Sequence, residues 1–237
     1  GLALEPRFVP GLSLGIDWWR YELSDQINVI GRDTQLALEA AGGPYSNPNV
    51  VRVPATTAEP IGPITAVIEP WQNFARAETE GFDVNLAYAL GAPRRGRVTV
   101  GVDASYIHTY EVQLAAGGPV ESFPTDDNRP RLRTVGRLEF ERKAWRAQVL
   151  SRFTSDYKPS DPVVVGGQSY RMPSHVTWDS SVSRRFGSER AGSGLSVTLG
   201  VNNVFDRDPP LYPVRQGYDA RQFSPQGRFG YVHVAWD

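Results

Sequence analysis

Residues 97–110 read RVTVGVDASYIHTY: Val98, Val100, Val102, Ala104, Tyr106, His108 and Tyr110 fall on one parity, and Arg97, Thr99, Gly101, Asp103, Ser105 and Thr109 on the other. Successive side chains of a strand point to opposite faces, so this is a β-strand with one apolar and one polar face. Its length decides more than its pattern. A strand that crosses a membrane needs about 9 to 11 tilted residues, whereas strands of globular domains average about 5 or 6.

The same alternation recurs along the chain. Residues 12–22 set Leu12, Leu14, Ile16 and Trp18 against Ser13, Gly15 and Asp17, and residues 81–90 set Phe82, Val84, Leu86, Tyr88 and Leu90 against Asp83, Asn85 and Ala87. Residues 131–141 place Arg131, Arg133, Arg137, Glu139 and Glu141 on one face, which must be wet. Residues 145–157 alternate Trp145, Ala147, Val149, Phe153 and Tyr157 with Arg146, Gln148, Arg152, Thr154 and Asp156, and Leu150 is the exception. Residues 175–186 and 195–205 behave alike, and 228–237 carry Val232, Val234 and Trp236 on one parity.

The connections alternate between short and long. Short ones fall at 7–11, 91–96, 142–144 and 187–194; long ones at about 29–75, 111–129, 158–173 and 206–226. One rim is tight and the other elaborate, as in up-and-down outer-membrane barrels with short periplasmic turns and long extracellular loops. The strand at 12 then runs outward, the one at 81 inward and the one at 97 outward. Trp18, Tyr88, Tyr106, Tyr110, Phe140, Trp145, Phe153, Tyr157, Trp178, Phe186, Phe205 and Trp236 lie near strand ends, where girdle rings meet the headgroup level. The segment 29–75 is rich in Pro and Gly; residues 35–41 are expected to make one or two helical turns and 64–68 a short strand.

Composition narrows the function. With 25 basic and 26 acidic residues and a net charge of -1, the chain offers no electrostatic footprint for nucleic acid. Having no Cys, it has no disulfide, no thiolate chemistry and no Cys-ligated metal. No stretch approaches the roughly 18 apolar residues of a transmembrane helix, and mean hydropathy is -0.37. That low value suits a transmembrane barrel, whose polar positions alternate with lipid-facing ones. The chain opens at Gly1 without Met or a leader, which predicts a piece of a longer protein.

Three stretches carry a family likeness: Val201-Asn202-Asn203-Val204-Phe205-Asp206 followed by a Pro- and Tyr-rich loop and Gly227-Arg228-Phe229-Gly230-Tyr231-Val232; Glu78-Thr79-Glu80-Gly81-Phe82-Asp83-Val84; and Gly11-Leu12-Ser13-Leu14-Gly15-Ile16-Asp17-Trp18-Trp19. They resemble, in that order, the C-terminal region, the inward "TxGxD/E" strand and the outward "GLSLSVDYW" strand of TonB-dependent outer-membrane receptors. The resemblance implies an all-β fold, an antiparallel up-and-down transmembrane β-barrel. Residues 1–237 would be a C-terminal fragment of that barrel domain, about nine of some 22 strands, incomplete and without the plug or the TonB box. Residues 1–5 would be the tail of its first strand. The family's final aromatic residue is replaced here by Asp237 after Trp236.

The resemblance further implies import of a scarce nutrient, a ferric siderophore, a cobalamin or an oligosaccharide, across the outer membrane of a Gram-negative bacterium. Implied partners are outer-membrane lipid, the TonB complex reached through parts absent from this chain, the plug domain of the same protein and the small nutrient ligand. No cofactor and no catalysis are expected. The rival from another class is a secreted β-sandwich or propeller that binds or cleaves carbohydrate, whose apolar strand faces would be sealed against a second sheet. A smaller complete porin or adhesin barrel is a further alternative.

Site residues follow from residue chemistry. His108, His175 and His233 lie on separate strands with no metal-ligand spacing, and the Gly-rich turn 187–194 lacks the Lys-Ser/Thr of a phosphate loop. Glu78, Glu80, Asp126 and Asp127 read as solvated charges rather than a glycosidase pair. Arg131, Arg133, Arg137, Arg146 and Arg152 form a basic inner face. It serves either salt bridges to Glu139, Glu141 and Asp156 or attraction of an anionic ligand or an acidic plug. Loop residues that join aromatic faces to charge or amides are the ligand candidates: Tyr45, Trp71, Asp126, Asn128, Arg129, Tyr157, Tyr212, Arg215, Tyr218 and Arg221.

Overall fold

A computed structural model describes residues 1–29, 31–92, 95–113, 120–122, 129–159, 163–188, 193–213 and 217–236. The elements in chain order are β1 (Leu2–Leu4), β2 (Leu12–Val29), α1 (Arg32–Gly42), β3 (Val50–Arg52), β4 (Ile64–Val67), β5 (Trp71–Ala92), β6 (Gly96–Gln113), β7 (Val120–Ser122), β8 (Leu132–Arg142), β9 (Trp145–Thr154), β10 (Val164–Val165), β11 (Gln168–Ser169), β12 (His175–Ser188), β13 (Ser193–Asn202) and β14 (Phe229–Trp236). Nine strands join in the order β1-β2-β5-β6-β8-β9-β12-β13-β14, with β7 added beside β6. That is chain order with only loop strands skipped, the signature of an up-and-down meander. Among the described residues no helix is long and apolar enough to cross a membrane.

Two compact units make up the chain. One comprises Gly1–Arg20, Thr79–Tyr110 and Phe123–Asp237; the other comprises Tyr21–Glu78 and Glu111–Ser122.

In the first unit the antiparallel register turns the sequence alternation into two continuous faces. Val100 pairs with Leu138, and Leu138 with Val149. Val182 pairs with Leu199, and Leu199 with Val232. These rows stay open: Leu138 is 48% exposed, Leu199 59% and Val232 66%. A sandwich would seal such rows against a second sheet; in this chain they lie open. The opposite face carries Asp103, Arg137, Glu139, Gln148, Arg152, Asp179, Ser181 and Ser183 in the same registers.

Strand lengths exceed the sequence expectation where the chain leaves the alternating segments. β2 and β6 run for 18 residues each and β5 for 22. The connection after β2 therefore spans 30–70 rather than 29–75, and Trp71 opens a strand instead of lying in a loop. Conversely, β9 stops at Thr154 and β13 at Asn202, so Tyr157 and Phe205 lie in the connections that follow, Tyr157 buried and Phe205 exposed. Tight turns join the strands at one rim; the two-residue link between β8 and β9 is closed by the pairing Arg142 with Trp145. Gly11 has φ +89 and its carbonyl accepts the Ala89 N–H at 2.9 Å. A Cβ there would run into the Ala89 carbonyl oxygen, so only glycine fits.

The second unit holds α1 packed with the β3–β4 hairpin. The helix is 11 residues long, more than the expected turn or two. Its inward side is polar: Gln35 and Glu39, one turn apart, are 1% and 3% exposed. Such a short helix is marginal alone, and the bonds made by these two side chains hold it.

Candidate functional site

The polar face of the first unit is a ladder of charge pairs. The Arg137 guanidinium donates to Asp103 at 2.9 Å and lies 3.8 Å from Glu139; Gln148 donates to the same Glu139 at 3.0 Å. Asn85 donates to Asp103 at 2.8 Å. At the tight-turn end Arg146 donates to Glu141 at 2.7 Å, and towards the long loops Arg152 pairs with Asp179. Arg133 donates to Gln222. Of the five arginines, Arg137, Arg146 and Arg152 are thus neutralised within the wall, by Asp103 and Asp179 as well as by the glutamates. Asp156 pairs with Arg171 instead, at 2.8 Å. Arg131 differs from the rest: it donates to the carbonyls of Ile107 and His108 at 3.2 and 3.0 Å and lies 5.3 Å from the Tyr106 ring, whose parity is the apolar one. Leu150, the exception in its strand, stands on the polar face with Arg137 and Asp179 as its register partners.

Connections 155–174 and 203–228 fold onto one small core. Tyr157 and Met172 are fully buried, Tyr212 and Phe223 nearly so, with Val163 and Tyr170 against them. The Tyr157 hydroxyl donates to Asp219 at 2.7 Å. Burial, then that carboxylate, pushes the Tyr157 phenol above its ordinary range. Asp219 also accepts the Arg221 N–H at 3.0 Å, closing an Asx turn. Tyr170 donates to the Leu211 carbonyl.

The start of connection 203–228 is pinned to the wall. Asp179 accepts the Asn203 N–H at 2.8 Å, and the Asn203 side chain accepts from Arg207 N at 2.9 Å and donates to Arg207 O at 3.0 Å. Asn203 has φ +50, a region that Asn tolerates better than most residues. Asp206 accepts the Arg228 N–H at 2.6 Å, and that bond with the Arg228 charge holds its carboxyl below the usual range. A cavity of about 390 Å³ lies between this loop and the polar face, lined by Arg152, His175, Asp179, Asn202, Arg207 and Gln222 among others. Its lining can offer cations, amides and an imidazole to an anionic, oxygen-rich guest.

The ligand candidates are distributed unevenly. Tyr157 and Tyr212 are buried in the loop core, so they position the loops and present no face to a ligand. Tyr45 is spent within the second unit, donating to Val53 O at 3.1 Å and accepting from Gly62 N at 2.9 Å. Trp71 is 75% exposed at the head of β5. The Arg129 guanidinium lies 3.8 Å over the Tyr110 ring. Tyr218 is half-buried and Arg221 exposed, close in sequence to Gln222 of the cavity. Asp126, Asn128 and Arg215 lie outside the described residues. The cavity's own His175, Asp179, Asn202, Arg207 and Gln222 were absent from the sequence candidates. Parity alone would have placed His175 and Asp179 beside Arg152.

In the second unit Arg52 grips Glu39 with both ends of its guanidinium, at 2.9 and 3.1 Å, and donates to Gly62 O at 2.8 Å. Asn47 donates to Gln35 at 2.8 Å. The Arg52 bond holds the Glu39 carboxyl below the ordinary range and raises Arg52. The three histidines sit apart: His108 near Phe82 and Tyr106, His175 edge-on to Phe223 at 5.2 Å, and His233 opposite Thr198.

This geometry has relatives. The chain superposes on a mutant of the ferric enterobactin receptor of Pseudomonas aeruginosa with a TM-score of 0.60 at 17% identity, over 99% of this chain and 30% of the receptor. Another mutant of that receptor, in complex with enterobactin, gives 0.58 at 18%, over 94% and 29%. The siderophore receptor PirA of Acinetobacter baumannii gives 0.56 at 15%, over 98% and 30%. The chain thus spans about 30% of the length of these solved receptors, and at such identities the likeness is one of fold. No curated protein matches the sequence. The family model described as TonB dependent receptor-like, beta-barrel matches residues 4–204. Taken with a nine-strand meander that has one open apolar and one charged face, that match means the chain belongs to the TonB-dependent receptor β-barrel family, outer-membrane receptors of Gram-negative bacteria.

Proposed function

We propose that this chain supplies wall and extracellular loops to an outer-membrane receptor that imports a ferric siderophore, energised through TonB. The open apolar face meets lipid, the ion-paired face lines the lumen against the plug domain, and the long-loop rim faces outward. The observation that carries the reading is the cavity between connection 203–228 and the polar face, where Arg207, His175 and Gln222 converge beside the Arg152–Asp179 pair. Ferric siderophores are commonly anionic and dense in oxygen, and cationic and amide donors suit them. The receptors it resembles in fold are named for ferric enterobactin and for siderophores, which favours this class over a cobalamin or an oligosaccharide.

In this reading Arg129, Tyr218 and Arg221 make first contact at the loops of the first unit, and the cavity takes the ligand next. Wall arginines already held by carboxylates leave a hydrated but weakly charged lumen, so an anion is captured above and not trapped below. The test is uptake of radioactive iron, supplied as catecholate and hydroxamate siderophores, by cells with and without the whole receptor. The proposal expects uptake of one of them that vanishes without the receptor and without TonB. Uptake of cobalamin or an oligosaccharide with none of iron would overturn it.

A further inference from the structure

We propose that the tight-turn rim carries a binding site for the phosphate of an anionic phospholipid, built on a row of side chains across three strands. Arg142 pairs with Trp145 in the sheet register, and Trp145 with Arg184, so Trp145 stands between two arginine positions on the apolar face. The Arg184 guanidinium lies 5.0 Å from the Trp145 ring and 4.7 Å from the Phe186 ring. The same row continues through Val197 and Val234, both apolar.

Cations on an apolar face require a reason. Glu141 and Arg146, the neighbours on the other parity, satisfy each other on the polar face at 2.7 Å. Among the described residues Arg142, Lys143 and Arg184 have no carboxylate partner. Lys143 adds a third cation in the turn itself, with φ 53, where glycine or asparagine would be less strained. Arg142, Lys143, Trp145 and Arg184 are all exposed. Aromatic rings fix the position of a guanidinium while leaving its N–H groups free to donate. Arg184, held over two rings, and the exposed Arg142 on the other side of Trp145 in register therefore offer donors to an anion at the edge of an apolar band.

The band decides the occupant. Inward from the row lie Phe140, Val182 and Leu199, 41%, 46% and 59% exposed, and then Leu138 and Val149. A ligand that suits both parts has acyl chains against the valines, leucines and Phe140 and a phosphate at the arginines. Resting on the outer-membrane reading above, the tight turns face the periplasm, so the lipid belongs to the inner leaflet. A zwitterionic headgroup brings its own ammonium to the phosphate, whereas phosphatidylglycerol leaves the phosphate to the arginines.

The experiment uses the whole receptor, purified in detergent and analysed by native mass spectrometry with phosphatidylglycerol and phosphatidylcholine of equal chain length. The wild type is expected to retain phosphatidylglycerol about tenfold more strongly. Arg142→Gln with Arg184→Gln is expected to bring the two lipids to parity, Trp145→Leu to fall between, and Arg171→Gln at the other rim to change nothing. An unchanged preference in the double variant, or none in the wild type, would overturn the site. Heat-modifiable gel mobility checks that each variant is folded. Loss of iron import with the lipid preference intact would defeat only the proposed function, and the reverse only this site.

Discussion

Tyr157 donates its hydroxyl proton to Asp219 across 62 residues of sequence, at 2.7 Å, and so ties connection 155–174 to connection 203–228. Removing the hydroxyl leaves a buried carboxylate short of one donor. Tyr157→Phe is expected to cost the loop pair about 1 to 3 kcal/mol. Faster proteolysis within 203–228, with sheet protection unchanged, is the reading that hydrogen exchange and limited digestion should give.

Glu39 and Arg52 make the second loop system sensitive to acid. The Glu39 carboxyl titrates below its ordinary value in the folded chain, chiefly because Arg52 donates to it. Its contribution is therefore present above the carboxylate range of the unfolded chain and is lost as pH falls through the lower, folded value. Amide protection over 31–70, relative to the intrinsic rate at each pH, should fall below about pH 4, and Glu39→Gln should show the lower protection already at pH 7.

The segment with the strongest family likeness is a structural latch. Asn203 bonds Arg207 through both ends of its amide while holding φ +50. Asn203→Ala is expected to lose about 1 to 2 kcal/mol, read as lowered thermal stability of the whole receptor. Asn203→Asp keeps the acceptor towards Arg207 N and should recover part of it.

Gly11 offers a backbone test. Its φ of +89 and the Ala89 carbonyl against it leave no room for a side chain. Gly11→Ala is expected to destabilise by about 1 to 2 kcal/mol, with slower acquisition of heat-modifiable mobility during refolding into detergent.

Arg207 lines the cavity without a carboxylate partner among the described residues. On the proposed siderophore reading, Arg207→Gln is expected to weaken ligand binding about tenfold, measured by tryptophan quenching on the whole receptor. Tyr212→Phe, which sits in the loop core, should leave affinity near the wild-type value.

Period two made the sheet legible. Val98, Val100 and Val102 share one parity, as do Leu195, Val197 and Leu199, and the registers bring both sets into the open apolar rows. Strand ends were less legible, because β5 begins in a stretch, from Trp71 to Ala77, whose polar and apolar residues do not alternate. The loops were hardest. Tyr157 and Tyr212 look in sequence like exposed platforms, and only the three-dimensional core with Met172 and Phe223 shows why they are buried. The helix α1 was underestimated for a related reason: its buried side is Gln35 and Glu39, and hydrophobic periodicity is blind to a polar core.

Leu150 has a consequence beyond its broken alternation. With Arg137 on one side and Asp179 on the other in register, its isobutyl group stands as an insulator between two circuits, Asp103–Arg137 and Arg152–Asp179. Arg137 and Asp179 are therefore kept apart at that level by an apolar side chain. On the proposed function, a ligand that draws Arg152 from Asp179 acts on the upper circuit, with Leu150 standing between it and the lower one.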